Sequence, residues 1–301
     1  MPWFFYKSGF FSKPSGGGRT RHYLKKYIRP FIIYGLIGWL VQGLILCLGE
    51  GESVLVWLRL SLKGLLLHGS VYGNGALWFL MTLFFVRLFS DFILHKVHPI
   101  VVALVCLSVA TAHFYFADSH TPWYLGNFFS GLCFFSLGNY FRKYEQNKWV
   151  IVVSAVVYFS FVMLYLTGKM DYAPFYFHKN TISKGNYLLF YPFALSGIVV
   201  INNLFRKSYD YWKFPVLSYI GRNAMNFYVT HWIVLVVAQF AFSYQLKFQS
   251  PKYLCLLYVL SCIVVLPIIS CLINLILVHD KNFKKSKKTE KSGVFLVKTL
   301  A

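Results

Sequence analysis

Stretches of about 20 consecutive, mostly apolar residues recur along almost the whole chain, and each is long enough to cross a hydrocarbon core roughly 30 Å thick as a helix. Eight such segments occur, at residues 30–48, 76–94, 99–117, 123–141, 149–168, 186–205, 224–244 and 253–278. A further apolar piece, Pro2 to Phe11, is too short to cross alone and is interpreted as the second half of a span. The sequence therefore predicts an all-α polytopic membrane helical bundle, with about eight full transmembrane helices and a partial N-terminal one.

Composition and charge agree with a membrane protein. Hydrophobic residues make up 57% of the chain and charged residues 13%, which leaves no polar coat for a soluble globule. The formal net charge of +21 would indicate nucleic-acid binding in a soluble protein. Here the basic residues flank the apolar spans, where they orient loops and contact anionic lipid headgroups. We therefore predict membrane lipids as partners, and no nucleic acid.

The segment Val54 to Leu67 is predicted to be an amphipathic helix on the membrane surface, because it is short and Arg59 and Lys63 share one helical face. With this segment outside the count of spans, the loops on one side hold 21 Lys and Arg and those on the other hold 7. The positive-inside rule places the richer side in the cytoplasm. We predict a bacterial inner-membrane protein with a membrane domain at residues 1–279 and a basic cytoplasmic tail at 280–301.

The loop from Ser12 to Pro30 combines flexible glycines with six cations. Five of these cations are candidate ligands for a polyanion: Arg19, Arg21, Lys25, Lys26 and Arg29. Backbone N–H groups beside such cations suit phosphates, for example those of coenzyme A, although the spacing of a G-x-x-x-x-G-K-[ST] loop is missing. The alternative interpretation is a basic loop that only sets topology.

Two further segments carry candidate functional side chains. Trp78 lies at the start of a span, three residues after Gly73-Asn74-Gly75, and its alternative role is an interfacial anchor. Asn223 and Tyr228 precede His231 in a later span, where a polar helix face indicates either a substrate cavity or hydrogen bonding between helices. No His, Cys and Glu cluster at metal-ligand spacing occurs, and we expect no metal.

The order of these motifs resembles that of the acyltransferase 3 family, integral-membrane O-acyltransferases of bacterial glycans. Pro2 to Phe11 resembles the family's Met-Pro-Leu-Phe-Phe-Phe-Leu-Ser-Gly-Phe stretch, with Lys7 replacing an apolar residue. Tyr23 to Pro30 is similar to the basic segment that enters the third span. Leu77 to Leu80 resembles the Leu-Trp-Phe-Leu of the fourth span, and Tyr219 to His231 resembles the late Gly-Lys-x-Ser-x-x-x-Tyr-x-x-His motif.

The resemblance implies transfer of an acyl group, commonly acetyl, from acyl-CoA to a hydroxyl of a cell-envelope or exported glycan or its lipid-linked precursor. It implies that Arg29, Lys25 and Lys26, with Arg21 and Arg19, hold the CoA phosphates; Tyr27 stands where the family commonly has an Arg. Four residues match supporting positions: Trp78, Asn223, Tyr228 and His231. The family's catalytic histidine lies in a first helix that we expect this chain to lack, so the catalytic base is not assigned.

Two other functions are compatible with the sequence. A transporter or flippase for a lipid-linked glycan would also be polytopic, with basic inner loops and aromatic residues that stack on sugars. The chain is also compatible with an inactive, truncated remnant of an acyltransferase.

Overall fold

The structure is a computed structural model that describes residues 1–13, 18–68, 71–116, 125–170, 175–176, 181–182, 187–211, 215–245 and 254–272. The chain divides into two compact units, Met1–Phe214 and Pro215–Ala301. The predicted tail at residues 280–301 and the glycines at 16 and 17 lie outside the described residues.

Helices account for almost all of the described chain. They are α1 Pro2–Phe10, α2 Thr20–Tyr23, α3 Arg29–Leu44, α4 Val54–His68, α5 Trp78–Ile93, α6 Pro99–Phe116, α7 Leu125–Phe141, α8 Lys148–Leu166, α9 Phe190–Tyr211, α10 Pro215–Arg222, α11 Ala224–Gln239 and α12 Leu254–Leu272. Short π-helical turns occupy Leu24–Ile28, Ile45–Gly49 and Phe240–Gln245, and 3₁₀ turns occupy Gly75–Leu77 and Tyr187–Leu189. Two strands of two residues, β1 Phe175–Tyr176 and β2 Thr181–Ile182, pair antiparallel between α8 and α9.

Seven helical segments of the described chain are long and apolar enough to cross a membrane. They are Thr20–Gly49, Gly75–Ile93, Pro99–Phe116, Lys148–Leu166, Tyr187–Tyr209, Ala224–Phe242 and Leu254–Leu272. The remaining predicted span, 123–141, is the 17-residue helix α7, which is about 25 Å long. The predicted fold class, an all-α polytopic membrane helical bundle, is confirmed, and the chain is a multi-pass membrane protein.

Helix α7 is the centre of the first unit, where it packs against α1, α5 and α6. Its contact with α1 brings the two backbones together at glycines. A Cβ atom on Gly9 would collide with the carbonyl group of Phe135, and one on Gly138 would collide with the carbonyl group of Tyr6. Small residues of this kind allow close packing of helices in membranes, where lipid provides no hydrophobic force between them.

Aromatic and hydroxyl side chains fix α9 against its neighbours. Tyr158 of α8 stacks on Phe193 of α9 with 5.4 Å between ring centroids. The hydroxyl of Ser130 in α7 lies 2.8 Å from the hydroxyl of Tyr191, which lies 2.6 Å from that of Tyr187. All three residues are buried, so their hydroxyls satisfy one another away from water.

Helix α4 confirms that the Val54 to Leu67 segment is helical. Trp57 stacks on Trp39 of α3 with 4.3 Å between centroids, and Trp39 Nε1 donates to Ser61 Oγ at 2.8 Å. The side chains of Arg59 and Lys63 are exposed. Helix α4 is thus attached to α3 through Trp57 and Ser61, and its position on a membrane surface stays a prediction.

Candidate functional site

The basic segment, defined as residues 19–29, forms one continuous helical entry into α3. It consists of Arg19 before α2, then α2, the π-helical turn Leu24–Ile28 and the first residue of α3. Tyr23 and Tyr27 are buried, with 5% and 2% of their surface exposed. The extra residue in a π turn shifts the following side chains around the helix axis, and such turns are frequent at functional sites.

All five predicted phosphate ligands lie on the exposed surface of this segment: Arg19, Arg21, Lys25, Lys26 and Arg29. The Lys26 ammonium lies 5.5 Å from the centroid of the Tyr27 ring. None of the five forms an ion pair with a carboxylate of the described residues. Because their charges are not neutralised locally, the segment presents a concentrated positive potential that attracts polyanions.

The basic segment packs against α5 through α2 and the π-helical turn Leu24–Ile28. Tyr23 interacts electrostatically with both Arg87 and Asp91. Asp91 is buried, and the Arg87 guanidinium lies 5.2 Å from the centroid of the Phe135 ring in α7. The exposed cations are thus carried on a segment that is fixed by buried side chains, which restricts their positions.

Trp78 lies at the opposite end of α5, about 20 Å along the helix from Asp91. It is buried, with 9% exposure, and its carbonyl accepts a 3.0 Å hydrogen bond from Thr82 Oγ1. Its side chain lines a largely apolar cavity of about 700 Å³ between α5, α6 and α7. None of the residues that line this cavity belongs to the basic segment.

The loop before Trp78 is supported from α3. Asn74 is completely buried, and its Nδ2 donates to the carbonyl of Tyr34 at 3.4 Å. Burial and the Glu50 carboxylate raise the pKa of Tyr72 above its ordinary value. The Gly73-Asn74-Gly75 segment is therefore a packed turn that sets the start of α5.

The late motif lies in the second unit, at the junction of α10 and α11. Asn223 precedes the first residue of α11, and its Nδ2 donates to the carbonyl of Tyr219 at 2.9 Å. Thr230 is buried, and its hydroxyl donates to the carbonyl of Asn226 at 2.7 Å. The Asn223 hydrogen bond connects the turn to α10, and the Thr230 hydrogen bond lies within α11.

His231 is held by a neighbouring residue of the same motif. Its Nδ1 lies 2.6 Å from the carbonyl oxygen of Tyr228, and the two rings are 5.4 Å apart. A carbonyl oxygen can only accept, so Nδ1 carries the hydrogen, and in the neutral ring Nε2 is the nitrogen that can accept a proton. The contact fixes both the orientation and the tautomer of His231.

The sequence did not identify a second polar group in the first unit, around Lys7. The Lys7 Nζ lies 3.2 Å from Glu145 Oε1, and this carboxylate oxygen also accepts from Asn202 Nδ2 at 2.6 Å. One signal of this group is present in the sequence, a lysine within an apolar helix, because a cation within a membrane segment needs a polar partner. Its partner is 138 residues away, so the pair has no local signature.

The structure thus exposes the five cations on one helical segment, places Trp78 at the other end of α5, and holds Asn223, Tyr228 and His231 in a separate unit. Among the described residues, no group of three His, Cys, Asp or Glu side chains is arranged to hold a metal ion. The functional roles predicted for these residues stay predictions.

Comparison with known proteins identifies the family. A family model described as an acyltransferase domain, Acyl_transf_3, matches residues 1–273. The chain belongs to the acyltransferase 3 family. The matched range includes every candidate residue described above, from the basic segment to the late motif. No curated protein and no solved structure shows significant similarity to it.

Proposed function

We propose that this acyltransferase 3 protein moves an acyl group, preferably acetyl, from acyl-CoA to a hydroxyl of a cell-envelope or exported glycan. The observation that carries the proposal is the family match over residues 1–273, which includes a segment of five exposed cations fixed on two buried tyrosines. Membership in the family supports acyltransferase activity in general. The donor and the acceptor are our inference from the chemistry of the segment and from the family.

The proposed donor fits the basic segment. Coenzyme A carries several phosphate charges, and Arg, unlike Lys, can contact two phosphate oxygens at once. Arg29, at the start of α3, and Arg21, in α2, would bind phosphate in this way, while Lys25, Lys26 and Arg19 would add charge around them. In this proposal, the exposed cations attract the donor and the buried Tyr23 and Tyr27 hold the segment in place.

The transfer itself requires a hydroxyl oxygen to attack the thioester carbonyl. The new C–O bond forms, the C–S bond breaks, and a base accepts the hydroxyl proton as CoA leaves as the thiol or thiolate. Orientation of donor and acceptor lowers the barrier because it removes the entropy cost of bringing them together. Trp78, Asn223, Tyr228 and His231 are proposed to support this arrangement, and we do not assign the base.

The orientation in the membrane is part of the same proposal. The loops that carry most of the basic residues, including the basic segment, would face the cytoplasm of a bacterial inner membrane, with the C-terminus on the same side. This places the basic segment in the compartment that contains acyl-CoA. To test the two sides, single cysteines are introduced at Lys143 and at Lys63 in a cysteine-free background. Their accessibility to a membrane-impermeant thiol reagent is then measured.

The activity is tested with the full chain purified in detergent or nanodiscs. It is incubated with acetyl-CoA labelled in the acetyl group and with candidate glycans, and label transferred to glycan is measured by mass spectrometry. Transfer that depends on the protein supports the proposal. Absence of transfer, of acetyl-CoA hydrolysis and of CoA binding would contradict it. Loss of glycan export with unchanged glycan acylation in a deletion strain would instead favour a transporter.

A further inference from the structure

A cavity in the first unit has both charged and apolar side chains in its wall, lies outside the basic segment and contains the Lys7 group. It has a volume of about 420 Å³ and lies between α1, the turn after α7, and α9. Two cations, Lys7 and Arg206, and one carboxylate, that of Glu145, line it together with Asn202 and Asn203. We call this site the Lys7–Arg206 cavity.

The charges of this cavity favour an anion. Glu145 is buried, with 4% exposure, and its carboxylate accepts from both Lys7 and Asn202. This pairing compensates the charge of Lys7. No carboxylate of the described side chains forms an ion pair with Arg206, so the described lining of the cavity has a net charge of +1. An uncompensated cation beside a membrane helix attracts a negatively charged partner, and the attraction is strong where water is partly excluded.

Arg206 is oriented toward this role by Asn203. Its Nη2 donates to Asn203 Oδ1 at 2.7 Å. The amide of Asn203 is fixed in turn, because its Nδ2 donates to the carbonyls of Glu145 and Val199 at 3.1 and 2.9 Å. The guanidinium has five N–H donors, and only one is used in its contact with Asn203. The remaining donors have the planar arrangement that suits phosphate oxygens.

Apart from Gln146 and Ile201, the rest of the cavity wall is aromatic and is open to the outside of the unit. Trp3, Phe11 and Phe205 line the cavity, and they are 42%, 72% and 58% exposed. The Phe10 ring completes this wall and lies 4.4 Å from the Lys7 ammonium. Apolar rings next to a charged group match a molecule that has a charged head and a hydrocarbon chain.

We propose that the Lys7–Arg206 cavity binds the phosphate of an anionic phospholipid. Arg206 contacts the phosphate directly, Lys7 is the second cation, and the aromatic wall covers the first part of an acyl chain. Glu145 limits the affinity, because its carboxylate repels the phosphate while it holds Lys7 in place. The site does not depend on the acyltransferase activity, and it is distinct from the basic segment.

Binding is measured by native mass spectrometry of the full chain in detergent, titrated with phosphatidylglycerol or with phosphatidylcholine. We expect phosphatidylglycerol to bind at least about tenfold more tightly, since only this lipid has an uncompensated phosphate charge. Arg206→Gln should remove most of this preference. Lys207→Gln is the matched control, because Lys207 is also an exposed cation of α9 but does not line the cavity.

A second variant reverses the direction of the effect. Glu145→Gln keeps an oxygen that can accept from Lys7 and Asn202 but removes the negative charge, so phosphatidylglycerol should bind more tightly, by about threefold to tenfold. If the Lys7–Glu145 pair only connected helices, Glu145→Gln would not increase the affinity for phosphatidylglycerol. Equal binding of the two lipids, an equal loss in Lys207→Gln and Arg206→Gln, or weaker binding in Glu145→Gln would overturn the proposal. Displacement of bound phosphatidylglycerol by CoA would overturn the assignment to lipid.

Discussion

The ammonium of Lys7 and the carboxylate of Glu145 lie 3.2 Å apart and connect α1 to the turn that follows α7. Lys7 occupies a position where the family commonly has an apolar residue, and the ion pair explains how this chain accommodates the cation. Glu145 also receives a hydrogen bond from Asn202 of α9. The pair therefore holds three elements of the first unit together.

Removal of the Lys7 charge should destabilise the protein. In Lys7→Met, Glu145 would remain buried without its cation. We expect the free energy of unfolding to fall by about 2 kcal/mol. The loss is smaller than for a completely buried pair, because the Lys7 side chain is 19% exposed. Thermal unfolding in detergent measures the change. Lys13→Met is the control, because Lys13 is exposed and forms no ion pair with a carboxylate that the structure describes. Lys7→Met combined with Glu145→Gln should recover stability, and equal melting temperatures for Lys7→Met and Lys13→Met would contradict this prediction.

The close contact of α1 and α7 predicts a strong effect of a single methyl group. In Gly9→Ala the new Cβ would collide with the carbonyl group of Phe135, and in Gly138→Ala with that of Tyr6, so the helices must separate. We expect each variant to lose about 2 kcal/mol of stability through overpacking. Gly18→Ala is the control, because its Cβ would meet no atom within 4 Å. If Gly9→Ala and Gly18→Ala unfolded at the same temperature, this result would contradict the close backbone contact of α1 and α7.

The basic segment predicts a salt-sensitive interaction with coenzyme A. Arg29→Ala removes one exposed cation, and CoA should bind about fivefold to tenfold more weakly. Added salt should reduce wild-type affinity toward that of the variant, since exposed charges are screened. Isothermal titration calorimetry at two ionic strengths measures both effects, with Lys143→Ala as a control cation outside the segment. If Arg29→Ala bound CoA as tightly as wild type, the phosphate role of Arg29 would be excluded.

The hydrogen bond between His231 Nδ1 and the carbonyl of Tyr228 predicts a graded response to substitution. His231→Ala should lower the rate of acetyl transfer by about tenfold, the cost of one lost orienting contact, without abolishing it. His231→Asn should recover part of the rate, because the Asn amide can donate to the same carbonyl. Rates are compared at equal amounts of folded protein, determined by size-exclusion chromatography. Complete loss of transfer in folded His231→Ala would show that His231 takes part in the chemistry.

Local sequence properties were sufficient for the fold class and the helices. The apolar segments predicted as spans correspond to helices in the described residues, and the Val54 to Leu67 segment is helix α4. The cations of the basic segment are exposed, and Tyr23 and Tyr27, which lie one helical turn apart among them, are buried. These features depend on residues within a few turns of one another, and the sequence therefore contains the information directly.

By itself, the sequence determined a multi-pass helical membrane protein of the acyltransferase 3 family, because hydrophobicity over about 20 residues and short ordered motifs are local properties. Only the tertiary structure decided that Lys7 pairs with Glu145, that Asn202 of α9 donates to the same carboxylate, and that Trp78 is buried in a cavity wall. These relationships join residues on different helices or on distant turns. They depend on which helix faces meet, and lipid-facing and protein-facing apolar residues look the same in a sequence.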